Sequence, residues 1–463
     1  MSLIRLDKLL ADSGFGTRSG VKNIIKSRKV LVNNNIVMSP DYKVDTEKDI
    51  INIGDHVINY NKFRYYMFNK PAGCISATED NNQTTIFYYF KDVNTKGLFP
   101  IGRLDKDTEG LLIVTNDGEL SHKLLSPVKH VNKTYFVRTD IPLSNSDLHE
   151  IEKGVDIGEK NLTLPCVIFQ NLPFHNEFFI TISEGKFHQI KRMFKVKNAN
   201  VTYLRRLSMG PLCIDNSLNA GEFRELSEHE ISLLKNPYGY EKITILKNII
   251  SYKKAVLFDL DGTVIDSMWM WKSIDKEFLE ARNIDMPENL QKSIEGKSFH
   301  ETAVYFKNRF SLKEEVEEIK AIWNKMALEY YEKKIDLKPG VLDFLHYLKA
   351  NNYKTAIATS NSQVLTNAVL KALNIFDLFN SIITSCQINK GKPAPDIYLK
   401  ACEELQVIPD ECVVFEDIPQ GILAGKNAGI MAVAVEDRYS QNYKDKKTEL
   451  ADFYIQSFTD LLI

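Results

Sequence analysis

Five short apolar runs, at residues 255–260, 355–359, 381–384, 412–416 and 431–435, alternate with helical stretches over residues 252–463. That alternation leaves few folds open. Strands that are apolar on both faces and joined by helix-length connections pack as a parallel sheet with helices on either side. Residues 267–335 interrupt the pattern with helix-only sequence, which predicts a helical cap inserted after the first strand. Inside it, Glu314, Glu315, Glu317 and Glu318 read as a solvated helix face. A chain of 463 residues has room for about three domains, so the first half must supply the others.

Residues 1–60 read as a small αβ module. Leu6, Leu9 and Leu10 fall at helical spacing, and Gly14 and Gly16 end that helix. Thr17 or Ser19 caps a second helix whose apolar stripe is Val21, Ile24 and Ile25. Residues 30–32 follow as a strand, with Asn33, Asn34 and Asn35 as its turn. Residues 61–247 mix strands (63–68, 111–115, 133–138, 178–183) with a helix at 187–195, an α+β pattern. The next boundary is expected at 248–252, so the last domain runs 252–463.

A hydrophobic content of 44% with 26% charged residues excludes a mostly disordered chain. No apolar run reaches the ~18 residues that cross a bilayer, and the first residues lack a signal core. The six cysteines form no C-x-x-C pair, so reduced thiols in a cytoplasmic protein are expected. The net charge of −2 conceals a split. Residues 1–251 carry 33 Lys and Arg against 29 Asp and Glu, and residues 252–463 carry 26 against 32. Arg5, Lys8, Arg18, Lys22, Lys26, Arg28 and Lys29 cluster on the first helix pair, which points to a polyanionic partner for the front of the chain.

Those residues resemble the S-four type of RNA-binding module. Arg5-Leu6-Asp7-Lys8-Leu9-Leu10-Ala11, Thr17-Arg18-Ser19 and Val30-Leu31-Val32-Asn33-Asn34 follow its pattern. Asn34 replaces the usual turn glycine, and Asn also accepts positive φ.

Residues 101–118 place acids and bases beside an apolar strand. Asp105, flanked by Arg103 and Lys106, would stay ionised as a nucleophile or base; alternatively the segment is a charged loop capping the strand. Asp105-x-Asp107-Thr108 mimics a phosphatase motif, but no apolar strand precedes it. The segment G-R-L-D-K-D-T-E-G-L-L, with Asn69-Lys70-Pro71-Ala72-Gly73, Lys133-Thr134-Tyr135-Phe136-Val137 and Glu184-Gly185-Lys186-Phe187-His188-Gln189-Ile190-Lys191-Arg192-Met193-Phe194, is similar to RsuA-type ribosomal RNA pseudouridine synthases. The resemblance covers about residues 1–235. It implies a mixed α+β catalytic domain that needs no cofactor. Asp105 would act on the ribose, attacking C1′ or taking a proton from C2′. Tyr135 would stack under the uracil and take the C5 proton, and Lys191 would pair with Asp105. Arg103 would fill the gap left by the flipped base or hold its phosphate, and Arg192 would meet RNA. His188 either orders the adjoining helix or serves the pocket. The H-Q-I-K-R-M-F wording is closest to the small-subunit (16S) branch, with a 23S target as the alternative.

The apolar run 255–260 ends in D-x-D-G-T, which places carboxylates at the carboxyl edge of a parallel strand. Asp259 could attack a phosphoryl group, and Asp261 could protonate the leaving oxygen and then activate water. With Thr359, Lys392 and Glu416-Asp417, this half resembles the haloacid-dehalogenase superfamily, a Rossmann-like hydrolase with a helical cap. The resemblance implies phosphate binding by Thr359, Ser360 and Lys392. It also implies Mg²⁺ held by Asp259, the Asp261 carbonyl and Asp417, with Glu416 acting through a water. The cap is like that of the phosphoglucomutase-like subgroup, but Met268-Trp269-Met270-Trp271 stands where a mutase would carry a histidine, so simple hydrolysis is expected. His300, in the cap loop 296–300, either selects substrate or is solvated. Trp269, Trp271 and Trp323 are expected to fill the cap core. The whole reads as a two-enzyme monomer acting on ribosomal RNA or a subunit precursor and on a small phosphate ester. The second half could instead use pseudouridine 5′-phosphate or a sugar phosphate, or be only structural.

Overall fold

The computed structural model describes residues 3–46, 48–54, 56–58, 63–91, 93–126, 129–171, 174–294 and 299–462. The chain divides into two compact units, Met1–Gln170 with Asn176–Thr244, and Asn171–His175 with Ile245–Ile463. The division falls inside helix Glu241–Ile250, slightly before the expected 248–252 boundary. The expected junction near residue 60 lies outside the described residues.

At the start of the first unit, helices Leu6–Asp12 and Arg18–Lys26 bury Leu6, Leu9, Leu10, Val21 and Ile25. Thr17 begins the second helix, its Oγ1 accepting the Gly20 N–H at 3.2 Å. Strand Val30–Val32 pairs with Asn35–Ile36 on one side and Ile51–Ile53 on the other. Asn33 and Asn34 turn between the first two with φ of 51° and 65°, the backbone that the missing glycine would otherwise supply.

The rest of the unit is built on one nine-stranded sheet. Its main path runs Val167–Gln170, Glu177–Ile182, Lys133–Thr139, Val201–Met209, Glu109–Thr115, Tyr65–Lys70 and Phe223–Glu225. Both faces are covered. Along Glu109–Thr115, Leu112 and Val114 join one core with Phe68, Tyr135 and Phe178, while Leu111 and Ile113 join the other with Met67, Met209 and Leu234. Period-two alternation into two cores explains why this strand is apolar throughout. Gly110 lets Glu109–Thr115 lie against Val201–Met209: its φ is +100°, and a Cβ there would stand 2.2 Å from the Arg206 carbonyl oxygen.

The second unit holds a six-stranded, all-parallel sheet in the order Ser381–Thr384, Lys354–Thr359, Ala255–Phe258, Cys412–Glu416, Met431–Val435, Phe453–Ile455. The order reverses around Ala255–Phe258, opening the crevice where such sheets bind ligands. The three-residue edge strand Phe453–Ile455 was not anticipated; it is too short to show a period. Helices Met270–Glu280, Leu290–Ile294, Phe299–Phe310 and Val316–Lys333 form the cap. Trp323 fills its core, edge-on to Phe278 and Phe306. The acidic run is solvated at Glu315, Glu317 and Glu318, and it also starts a helix. The last cap helix starts at Val316, Glu315 and Glu318 form its capping box, and Glu314 pairs with Arg282 at 2.6 Å. Among the described residues, no helix is long and apolar enough to cross a membrane.

Candidate active sites

The first site is organised by a buried lysine. Lys70 ends strand Tyr65–Lys70 with no exposed surface. Its ammonium donates to the carbonyls of Thr108 at 2.9 Å, Pro71 at 3.0 Å, Asp105 at 3.1 Å and Lys106 at 3.4 Å. Burial pulls its pKa below the ordinary lysine value. Ser76 clasps Leu104 in both directions at 3.0 Å, and the Gly73 N–H reaches the Lys106 carbonyl at 2.7 Å. The loop 104–108 is therefore fixed by main-chain bonds, which leaves the Asp105 carboxylate free to project.

It projects into a cavity of about 100 Å³ whose lining includes Arg103, Tyr135, Lys186, His188, Lys191 and Leu204. Lys191, on helix Gln189–Lys195, lies 3.0 Å from Asp105 and 2.6 Å from Asp107. Burial disfavours its charge, but the bonds to Asp107 and Asp105 outweigh that and raise its pKa. Asp107, partly desolvated, is nonetheless held below the usual carboxylate range by Lys191. His188 Nε2 stands 3.5 Å from the other Asp105 oxygen. Tyr135 is 8% exposed on the central strand Lys133–Thr139. Arg103 and Asp105, from one loop, thus share a cavity with Tyr135 and Lys191, which come from distant segments.

The second site sits at the carboxyl edge of the parallel sheet. Asp259 follows strand Ala255–Phe258, Thr359 ends Lys354–Thr359, and Glu416 ends Cys412–Glu416. Lys392 contacts Asp259 at 2.5 Å, Glu416 at 2.6 Å and the Ala358 carbonyl at 3.0 Å. Tyr398 donates to Glu416 Oε1 at 2.5 Å. Ligand oxygens of Asp259, Glu416 and Asp417 lie within 4.8 Å of one another, all buried. Burial and the neighbouring Glu416 push Asp259 up to about 8 against the pull of Lys392, whose own pKa is raised. Burial, then Asp259 and Glu416, raise Asp417. Glu416 Oε2 and Asp417 Oδ2 are buried acceptors without a hydrogen-bond donor. Three carboxylates against one ammonium, with two orphaned oxygens, suit a hard divalent cation. Gly262 and Gly421 keep the space clear: a Cβ would meet Asp417 Oδ2 at 2.3 Å or Glu416 Oε1 at 1.9 Å.

Asp261 is engaged differently. It accepts from the Tyr331 hydroxyl at 2.5 Å, Ser267 at 2.7 Å and Asn361 Nδ2 at 3.1 Å. Tyr331 comes from the cap helix Val316–Lys333, and burial beside Asp261 keeps its hydroxyl protonated. Ser360 is exposed beside Thr359.

The expected RNA contacts fall into two groups. Lys8, Lys22, Lys26, Arg28 and Lys29 are exposed. Arg5 and Arg18 are half-exposed but lean on the buried Asp7 at 3.0 and 3.7 Å. Arg192 spends its guanidinium inside the fold, on Glu159 at 2.8 Å, the Phe187 carbonyl at 3.0 Å and the Ile157 carbonyl. His300 is exposed near Glu317, and residues 296–298 of its loop lie outside the described residues.

Family models match residues 4–51 as an S4 domain, 64–195 as RNA pseudouridylate synthase and 256–435 as haloacid dehalogenase-like hydrolase. The uncharacterized RNA pseudouridine synthase YtzG of Bacillus subtilis is 43% identical over 50% of this chain and 99% of its own length. The ribosomal small subunit pseudouridine synthase A of Escherichia coli is 36% identical over 50% of this chain and 99% of its own. The chain belongs to the RsuA-type RNA pseudouridine synthases. The synthase half is followed by a haloacid dehalogenase-like hydrolase domain, so two enzymatic domains share one polypeptide.

Several partners in these domains escaped sequence reasoning. Lys70 was visible only as part of N-K-P-x-G, and nothing local reveals that its target is a loop 35 to 38 residues away. Tyr331 and Tyr398 carry no motif signal, and Asn361 only closes the Thr359-Ser360-Asn361 run; the fold brings them to the carboxylates. Replacing Lys70 with Met removes one donor from four carbonyls at once. Lys70→Met is expected to lower stability by at least about 3 kcal/mol, measured as the denaturant midpoint at unchanged m-value. An unchanged midpoint would show that the ammonium does not organise the loop.

Proposed function

We propose that the synthase half converts a uridine of 16S ribosomal RNA, alone or in a subunit precursor, to pseudouridine at Asp105. The observation that carries this reading is the Asp105–Lys191 pair at 3.0 Å inside the cavity that Tyr135 lines. The uridine must leave its stack to reach it, at a cost of a few kcal/mol. Asp105 then engages the ribose, at C1′ as nucleophile or at C2′ as base, while the C1′–N1 bond breaks. The uracil turns against Tyr135, C5 joins C1′, and the C5 proton leaves as N1 regains one. Atoms and electrons balance without a cofactor. Lys191 donates to this carboxylate at 3.0 Å and fixes its orientation. Arg103, exposed at the rim, is placed for the vacated stack or the target's phosphate. The exposed cations of the first helix pair would hold surrounding RNA. The name of the Escherichia coli relative supports the small subunit as target.

For the hydrolase half the proposal is a phosphate-monoester hydrolase. Asp259 attacks phosphorus and forms an aspartyl phosphate as the ester oxygen leaves with a proton from Asp261. Asp261 then takes a proton from the water that cleaves the acyl phosphate. Thr359, Ser360 and Lys392 hold the phosphoryl oxygens. Asp259, the Asp261 carbonyl, Asp417 and Glu416 would hold Mg²⁺, which when bound offsets the crowded negative charge. Glu416 has one oxygen committed to Lys392 and Tyr398, so only Oε2 is available to that site. The protein would act as a cytoplasmic monomer.

Two experiments test these readings. In cells lacking the protein, chemical mapping should show one pseudouridine missing from 16S rRNA. Wild type restores it and Asp105→Asn does not; an unchanged 16S map with a loss in 23S moves the target. For the hydrolase, release of phosphate from an aryl phosphate should require Mg²⁺, stop with EDTA, and fall at least about a thousandfold in Asp259→Asn. Equal release by that variant would leave the domain without its assigned nucleophile.

A further inference from the structure

Phe187 is 70% exposed, among the most exposed large apolar side chains in the protein. It stands between Lys186 and His188, both of which line the Asp105 cavity, yet it does not line that cavity itself. Its placement is not that of a loose loop residue. The Phe187 carbonyl accepts from Arg192 at 3.0 Å, and the same guanidinium grips Glu159 and the Ile157 carbonyl. His188 takes the left-handed conformation, φ 48° and ψ 34°, which is uncommon for a residue with a side chain. The two rings stack at 3.8 Å between centroids with planes 19° apart. The inner ring, His188, then faces Asp105 at 3.5 Å. An apolar ring thus stands at the rim, its main chain anchored by Arg192, backed on one face by imidazole and otherwise largely open to solvent.

We propose that Phe187 is a stacking platform for an unpaired base next to the target uridine. The inference rests on the Asp105 cavity being the site that receives that uridine. Flipping a nucleotide out unstacks its neighbour, and a fixed aromatic face recovers that stacking without reading sequence. The nearby cations Lys186 and Arg103, both in the cavity lining, suit the flanking phosphates. Arg192 in this arrangement is a positioning residue: it holds the platform rather than the RNA.

The test uses the full chain and ribosomal subunits from cells lacking the protein, with pseudouridine formation as the readout. Phe187→Ala is expected to raise KM about ten- to hundredfold while kcat stays within about threefold and the thermal midpoint is unchanged. Phe187→Trp should return KM to within about threefold of wild type, and Phe187→Leu should not. The idea is overturned if Phe187→Ala keeps the wild-type KM, or if Leu rescues as well as Trp, which would mean apolar packing alone. Asp105→Asn separates the two claims. If that variant still forms pseudouridine, the site reading fails whatever position 187 does. If it is inactive, its affinity for the subunits, with and without Phe187→Ala, measures the platform apart from chemistry.

Discussion

In each half of the chain, a lysine is set against a carboxylate that the fold has partly or wholly removed from water. Lys191 meets Asp105 at 3.0 Å, and Lys392 meets Asp259 at 2.5 Å. The balance of charge around each pair differs. In the synthase half Lys191 serves two carboxylates, but Asp107 is open to solvent and remains easily ionised. In the hydrolase half Lys392 pairs with two of three clustered buried carboxylates, and burial together with their mutual repulsion drives Asp259 and Asp417 upward. One ammonium cannot neutralise three charges at low dielectric. The second site therefore suits the proposed divalent cation, whereas in the first one ammonium meets one partly buried carboxylate and one solvated one.

The scaffolds that hold these pairs reflect the same difference. Asp259 needs only the end of a buried parallel strand, because reversal of strand order opens the crevice around it. Asp105 lies on a loop, and a loop must be fixed by bonds of its own. Lys70, Ser76 and Gly73 supply them, and Gly110 admits the close strand contact beyond. The Asp105 geometry therefore depends on a cation that is itself fully buried.

What the sequence disclosed follows from how local each signal is. The Thr17 cap, the Asn33–Asn34 turn and the parallel strands are set by residues within a few positions of one another, and they form where the pattern places them. The Asp105, Tyr135 and Lys191 positions came from long motifs, and the structure brings all three into one cavity. Long-range partners were invisible. Tyr331 reaches Asp261 across 70 residues, and Lys70 finds loop carbonyls through the sheet. The helix expected from 187 begins at Gln189 because His188 is left-handed, and the acidic run of the cap starts its helix while Glu315, Glu317 and Glu318 stay exposed.

The central claim is that Asp105 carries out the isomerisation. Joining C5 to C1′ must expel the C5 hydrogen. Ribosomal subunits made with uridine tritiated at C5 therefore report the reaction directly. The wild-type protein should release tritium to water in one-to-one proportion with pseudouridine formed, and Asp105→Asn should release none above background. Sustained release by that variant, with its fold intact, would contradict the account.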